Sequence, residues 1–256
     1  MTDPGLAFRE LSAPAVMAVG VLFFATIYAL SAVATWLLAH RLLPALGFGR
    51  RIDPRALQSR QIHREIRASL VSILIFGAGL VFPWGLLQLG WARLATDPST
   101  TRIALEVALL FVWNEAHFYA SHRLLHTRWL RRFHAAHHRS QVATPFATYS
   151  FHPLEAVLLG SVPLIPMLLH DFSFTALLAL PLLSIVLNNL GHSNYEFTRS
   201  GPARGVFGAS RRHHLHHACH HGNYGFLIGS FDRLFGSVLP LDAADARLRG
   251  TPRDAS

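Results

Sequence analysis

The chain has no lysine among its 23 basic residues, a single cysteine, and charged side chains at only 14% of its 256 positions. Each scarcity excludes something. One cysteine, Cys219, can form neither an internal disulfide framework nor a cysteine-rich zinc or iron–sulfur site. A charged fraction this far below the roughly 25% of soluble domains leaves too little polar surface for an ordinary cytosolic globule, and it argues against disorder. Familiar catalytic motifs are missing too. There is no His-Glu-x-x-His, no Gly-x-Ser-x-Gly, no P-loop and no Gly-x-Gly-x-x-Gly dinucleotide turn. Internal repeats, low-complexity tracts and strand periodicity are absent as well.

What the chain has instead is apolar length. Apolar residues make up 51% of it, gathered into runs. Residues 11–39 carry no charge, more than the roughly 20 residues a helix needs to cross a bilayer. No basic cluster precedes this run and no Ala-x-Ala site ends it, so it reads as a retained span and not a cleaved signal peptide. A second uncharged run covers 68–92, where Pro83 and Trp84 suggest a kink or an interfacial stop. A third, 103–121, holds Glu106 and Glu115. Runs 156–169 and 172–190 flank His170–Asp171 as a hairpin that either crosses or re-enters. The expected fold is all-α, a polytopic membrane protein with four or five apolar helices and a cytosolic helical cap. It forms one membrane-embedded domain over 1–256, with residues 243–256 as a flexible tail.

The arginines set a side. Seven lie between the first two runs, five in 122–152 and eight in 191–256, against Arg9, Arg93 and Arg102 opposite. Twenty against three is a strong positive-inside asymmetry, and it places the histidine-rich segments in the cytosol. The net charge of +9 therefore reads as topology, with anionic headgroups as its partner and not nucleic acid. Exclusive use of arginine suits a GC-rich bacterial genome, and hence a bacterial inner membrane.

Histidine is the abundant oddity: 17 residues, all but His40 and His63 beyond residue 116. Three clusters stand out, His122-x3-His126, His134-x2-His137–His138 and His213-x2-His216–His217. On a helix, Glu115, Tyr119, His122 and His126 share a stripe about 60° wide, and His117 faces away. One straight helix running on to His138 would spread its five clustered histidines over about 160°. That is too wide for one metal centre, so a break between His126 and His134 is expected to fold the second cluster onto the first. Neutral imidazole suits iron, zinc, copper and nickel. At least eight imidazoles are too many for one ion, and two metals with nitrogen ligands fit best. His40, His63, His117 and His170 stand alone and read as satisfied interface residues. Two alternatives use the same histidines: a zinc-dependent membrane hydrolase, and a non-enzymatic metal-binding or transport protein. A transporter needs its ligands near the bilayer midplane, whereas these clusters lie past the helix ends.

The string Glu115–Ala–His–Phe–Tyr119–Ala–Ser–His122–Arg123–Leu–Leu–His126, with Trp129, Phe133–His134 and His137–His138 after it, resembles the opening signature of the fatty acid hydroxylase/sterol desaturase superfamily. His152–Pro153–Leu154–Glu155 and His192–Ser193–Asn194 resemble its middle elements. His213-x2-His216–His217, Asn223–Tyr224–Gly225 and Phe231–Asp232–Arg233–Leu234–Phe235–Gly236–Ser237 resemble its closing signature. The likeness covers roughly 110–240. Asn188 stands where some members begin a third histidine pair, Phe231 where Trp is usual, and Ser237 where Thr is usual.

The resemblance implies a cytosol-facing centre of two Fe ions, held by His122, His126, His134, His137, His138, His192, His213, His216 and His217. It implies O2-dependent hydroxylation or desaturation of a lipid C–H bond, on a sterol, a fatty acyl chain or a related apolar substrate. Since no flavin, haem or NAD motif is present, electrons would come from a separate reductase, ferredoxin or cytochrome-like partner. Glu115 and Asp232 are expected to accept hydrogen bonds from the ligand imidazoles. Tyr119 shares the ligand face, and His152 is expected beside the ligands or the substrate. His214, His220 and His221 receive no role. Asn223–Tyr224–Gly225 reads as a helix stop with glycine in the left-handed cap.

Overall fold

The computed structural model describes residues 4–198 and 205–240; the tail expected at 243–256 lies outside the described residues. A short helix α1 (Pro4–Glu10) leads into α2 (Ala13–Leu37), where Pro14 sits in the first turn and needs no donor partner. A π turn, Leu38–Leu42, carries α2 into α3 (Leu43–Ala45). Helices α4 (Gln61–Gly79) and α5 (Val81–Gln88) are separated only at Leu80. The expected kink thus falls just before Pro83, whose ring cannot donate to the carbonyl four residues back, that of Gly79. Helix α6 (Thr100–Leu125) begins where the Ser99 hydroxyl accepts from the Arg102 N–H at 3.2 Å.

The second half carries α7 (Arg131–His138), α8 (Pro153–Gly160), α9 (Leu164–Leu169), α10 (Phe174–Gly191), α11 (Ala209–Cys219) and α12 (Ser230–Leu234). Among the described residues, three stretches are long and apolar enough to cross a membrane: Ala13–Ala45, Gln61–Gln88 and Phe174–Gly191. They make the chain an integral membrane protein. The α8–α9 arm is a shorter apolar stretch, broken between Gly160 and Leu164. Helix α6 has 26 residues and packs along α10, but Arg102, Glu106 and Glu115 lower its hydropathy. A strand pair does exist, β1 (Arg50–Arg51) with β2 (Tyr195–Glu196), Arg50 opposite Glu196 and Arg51 opposite Tyr195. Two residues leave no alternation to read, and this pairing is set by the approach of distant segments.

The core that supports the cap joins Phe24, Tyr28 and Ala32 of α2 to Ile73 of α4, Tyr149, Phe151, Ala156 of α8 and Ile185 of α10. Tyr28 stacks on Tyr149 at 5.9 Å and donates to the Phe146 carbonyl at 2.9 Å. Helices α2 and α4 approach most closely at two glycines: a methyl group on Gly20 would lie 2.6 Å from the Gly77 carbonyl oxygen, and one on Gly77 would overlap Val21. Such small-residue contacts let membrane helices pack backbone to backbone. Gly77→Val is therefore expected to cost at least about 1–3 kcal/mol, read as a lower thermal midpoint in detergent. Gly79→Val, whose added carbon meets nothing within 4 Å, is the control.

Candidate metal centre

The break between the first two histidine clusters is present. Helix α6 ends at Leu125, His126 caps it, and α7 starts at Arg131 after a turn. This returns His134, His137 and His138 toward His122, and α11 and the end of α10 close the site from the other side.

The nine histidines form two sets. His122, His126, His134, His138 and His216 make one; His137, His192, His213 and His217 make the other. Within each set the nitrogens that face inward all lie within 4.8 Å of one another. The partition follows helix geometry. In α7, His134 and His138 are four apart and join the first set, while His137 joins the second. In α11, His213 and His217 are four apart and join the second set, while His216 joins the first. Neighbours such as His137 and His138 point about 100° apart on a helix, so each H-x2-HH cluster serves both sets. The sets adjoin: the His138 and His217 rings are 4.7 Å apart.

The hydrogen bonds at the outer edges decide what the inner nitrogens can do. The Nδ1–H of His122 donates to the Tyr224 carbonyl at 2.9 Å, that of His192 to Asn188 at 2.9 Å, and that of His216 to Gly222 at 2.7 Å. His134 donates through Nδ1 to the Glu155 carboxylate at 2.7 Å, and His137 reaches the Ser150 carbonyl at 3.4 Å. A proton on Nδ1 leaves Nε2 with a lone pair. Those lone pairs then face each other, His122 to His134 at 3.1 Å and His137 to His192 at 3.3 Å. In the first set, His126, His138 and His216 form a triangle with Nε2 distances of 3.1–3.2 Å. Donors and acceptors cannot alternate around three corners. In the second, His137, His192, His213 and His217 close a four-sided ring with edges of 3.0–3.3 Å. The middle of such a ring is about 2.2 Å from each corner, close to a metal–imidazole bond of about 2.0–2.1 Å. Convergent lone pairs at these spacings are what a cation satisfies, so the residues present fit a metal in each set.

Electrostatics agree. Burial first, and then the positive charge neighbouring imidazoles would carry, lowers the pKa of His126 to about 4 and holds those of His134, His138, His213, His216 and His217 well below the usual histidine value. Burial thus favours the neutral imidazole, the form that metal binding requires.

Other expected site residues sit elsewhere. The Glu115 carboxylate accepts from the Leu227 and Ile228 N–H groups, at 2.9 and 3.5 Å, and hydrogen-bonds to none of the nine imidazoles. Asp232 accepts from the N–H groups of Tyr224 and Gly225, each at 2.7 Å, and from the Ser237 hydroxyl. It acts on His122 at one remove, by holding the peptide whose carbonyl His122 binds. Tyr119 stacks between Phe231 and Phe235 and contacts Ser237 at 3.0 Å, which ties α12 to α6. His152 caps α8 by accepting from the Leu154 N–H and lies against Phe133. Helix α11 stops at His220, itself in the left-handed region with φ 61, and not at Gly225. The Asn188 amide donates to the Thr148 carbonyl at 3.2 Å.

Two residues were missed. Glu155 is the carboxylate that reaches one of the nine imidazoles, that of His134, and its signal was that no other acid lies between 116 and 170. His214 points away from both sets to a fully buried Asp53, 3.1 Å off, which also pairs with Arg55. Burial pushes the Asp53 carboxyl up, but the His214 and Arg55 hydrogen bonds outweigh it and hold the group well below the usual range. Nothing local in the sequence marks that pair. Glu155→Gln is expected to weaken metal binding by the five-histidine set about 10–100-fold and to leave the four-histidine set unchanged, as read by chelator competition.

A small cavity touches both sets. Phe118, Leu125, Phe151 and Leu159 form its apolar side, and Asn188 and Glu155 also line it.

Residues 107–237 match the fatty acid hydroxylase family. The Delta(7)-sterol 5(6)-desaturase of Eremothecium gossypii is 32% identical over 195 residues, 72% of this chain and 53% of that protein. The corresponding desaturase of Saccharomyces cerevisiae is 29% identical over 208 residues, 77% of this chain and 54% of that protein. A very-long-chain aldehyde decarbonylase of Oryza sativa subsp. indica is 35% identical over 149 residues, 55% of this chain and 54% of that protein. The chain thus spans about half the length of these relatives. No solved structure matches it. The family match spans the α6 face, the α7 and α11 clusters and α12 with Asp232, and the chain belongs to the fatty acid hydroxylase/sterol desaturase superfamily.

Proposed function

We propose that the chain is a non-haem di-iron oxidoreductase that hydroxylates or desaturates a C–H bond of a lipid, using O2 and two electrons from a separate redox protein. The observation that carries this is the pair of adjoining all-imidazole sets with converging lone pairs, placed at the ends of α6 and α10. Two irons, when bound, would supply the activation of O2 needed to remove hydrogen from an unactivated C–H bond. In this reading the nine histidines are the ligands. The protein's own part is to hold them. The Tyr224, Asn188 and Gly222 carbonyls and the Glu155 carboxylate keep protons on Nδ1, so every Nε2 they control stays available. Phe118, Leu125, Phe151 and Leu159 exclude water and present an apolar wall to the substrate. Hydroxylation turns R–H, O2, two electrons and two protons into R–OH and water; desaturation of the same substrate releases two waters. The relatives named for sterol desaturation and aldehyde decarbonylation both act on long apolar molecules, which favours a sterol or acyl substrate. The arginine asymmetry puts the centre on the cytosolic side, of the inner membrane if the chain is bacterial.

Purified protein is expected to contain two irons per chain. It should consume O2 with a lipid only when a reduced ferredoxin- or cytochrome-type donor is added. Zinc at the same sites with turnover in the absence of O2 would establish the hydrolase instead. Metal flux into vesicles without lipid oxidation would establish the transporter.

A further inference from the structure

Helix α11 supplies His213, His216 and His217, so its rotation about its own axis places imidazoles in both sets at once. Side chains reach about 5–6 Å from a helix axis, and a turn of about 10° therefore moves their nitrogens by about 1 Å. Metal–ligand distances tolerate only about 0.2 Å. The contacts that fix this rotation lie on the back of the helix. The three ligands span an arc of about 100°, while His214 and Arg211 lie about 110° and 170° from the middle of that arc. The Arg211 guanidinium donates to Glu196 of β2 at 3.0 Å, and the His214 Nε2 lies 3.1 Å from the Asp53 carboxylate.

Asp53 does more than accept that hydrogen bond. Its backbone N–H donates to the Asn194 side-chain oxygen at 2.8 Å, and the Asn194 amide donates back to the Asp53 carbonyl at 3.0 Å. Asn194 stands two residues past His192, the cap of α10. One residue of the segment between α3 and α4 thus clasps both the end of α10 and α11. These two carry His192, His213 and His217, three of the four imidazoles of the second set, but only His216 of the five in the first. Asp53 and His214 are fully buried, and the other His214 nitrogen has no hydrogen-bond partner among the described residues, so Asp53 alone orients that ring by hydrogen bonding. The Arg55 N–H and guanidinium hold the carboxylate from the exposed side, at 2.6–3.0 Å. A buried pair of this kind is often no more stabilising than apolar packing of the same volume, whereas it does specify register. Asp53 lies outside residues 107–237, and the family match assigns it nothing.

We infer that Asp53 is a positioning residue for the metal centre: through His214 and Asn194 it sets the rotation of α11 against the end of α10, and with it the geometry of the four-histidine set. The inference rests on the reading that this set holds a metal, and not on the reaction the metal performs.

The test is cobalt(II) binding by the whole metal-free protein in detergent, with a competing chelator to read affinity. The binding step missing from His217→Ala identifies the second set. Asp53→Ala is expected to weaken that step about tenfold, the lower end of what loss of a supporting partner costs a metal site, and to change the first-set step much less. His214→Ala should match it, and the two combined should lose no more than either alone, since both remove one contact. Asp53→Asn keeps an oxygen that can accept from His214 and should recover most of the affinity. Arg55→Ala leaves the His214 contact in place and removes a half-exposed pair, so affinity should stay within about twofold. At saturating cobalt, the visible absorption of the second set should shift in Asp53→Ala, which lower folding stability alone does not produce. Should alanine at 53 prevent folding, His214→Ala and Asp53→Asn carry the same comparison. Unchanged affinity, equal weakening of both steps, additive losses or an unshifted spectrum would overturn the inference. A wild type that binds no second cobalt refutes the metal reading of the set, and this inference with it; two cobalts bound with indifferent variants refute this inference alone. Binding needs no turnover, so a protein that behaves as expected yet never consumes O2 refutes the oxygenase reading and leaves this one standing.

Discussion

His217→Ala is expected to lower the metal content of the purified protein from two ions per chain to one, and to cut O2-dependent turnover by about three orders of magnitude. The second set has four imidazoles and no spare, and each Nε2 in its ring has two neighbours at 3.0–3.3 Å. Removing His217 opens the ring on two edges at once and leaves three ligands. A catalytic ion is worth several kcal/mol of transition-state stabilisation, and each 1.4 kcal/mol is about tenfold in rate, hence the size of the loss. His126→Ala is the informative contrast. His126 is the only one of the nine that is not buried, and its set keeps four imidazoles without it. Both ions should remain, with affinity in the first set reduced about 10–100-fold. Metal analysis of the two variants beside wild type decides the matter; equal losses in both would refute the division into five and four.

Acid is expected to open the histidine cap of the metal-free protein between about pH 6 and pH 5. His126 and His192 have their pKa lowered to about 4, and His122, His134, His137, His138, His213, His216 and His217 lie well below the usual value, burial being the largest cause throughout. In the unfolded chain each would titrate near pH 6.5. Between the two values the unfolded state binds protons that the folded state does not, so stability is complete above about pH 6.5 and falls as pH drops. Each histidine contributes about 1.4 kcal/mol per pH unit once titration is under way. Nine together approach about 12 kcal/mol per unit, comparable to the whole stability of a typical domain. Bound metal occupies the same lone pairs and should move the transition to lower pH. Hydrogen exchange in α7 and α11 across pH 7 to 5, with and without metal, is the measurement. A flat profile for the metal-free protein would mean that the imidazoles are not held neutral by burial.

The α6 face shows how far periodicity reaches. Glu115, Tyr119, His122 and His126 do share one stripe, and their rotation about the helix could be read from spacing alone. Only the two histidines meet the centre. Glu115 is taken by Leu227 and Ile228, and Tyr119 by α12, because those segments arrive from more than 100 residues away. The break after His126 was legible for the same angular reason, since one straight helix could not aim five imidazoles at one place. The carboxylate partner was not. Glu115 had the better position along the chain, yet Glu155 reaches His134 because α8 packs against α7.

By itself the sequence determined the quantities that local chemistry carries: enough uninterrupted apolar length to enter a bilayer, the side on which arginine accumulates, and histidine pairs four residues apart that must face one way. Tertiary structure alone decided which pairs meet. His126 and His216 stand 90 positions apart and their Nε2 atoms are 3.1 Å apart, a distance that only the packing of α6, α7, α10 and α11 can set. The same packing sorts nine imidazoles into five and four and brings Glu155, and not Glu115, to the His134 ring. Helical periodicity fixes an angle about one axis, and a metal centre needs several axes brought to a common point.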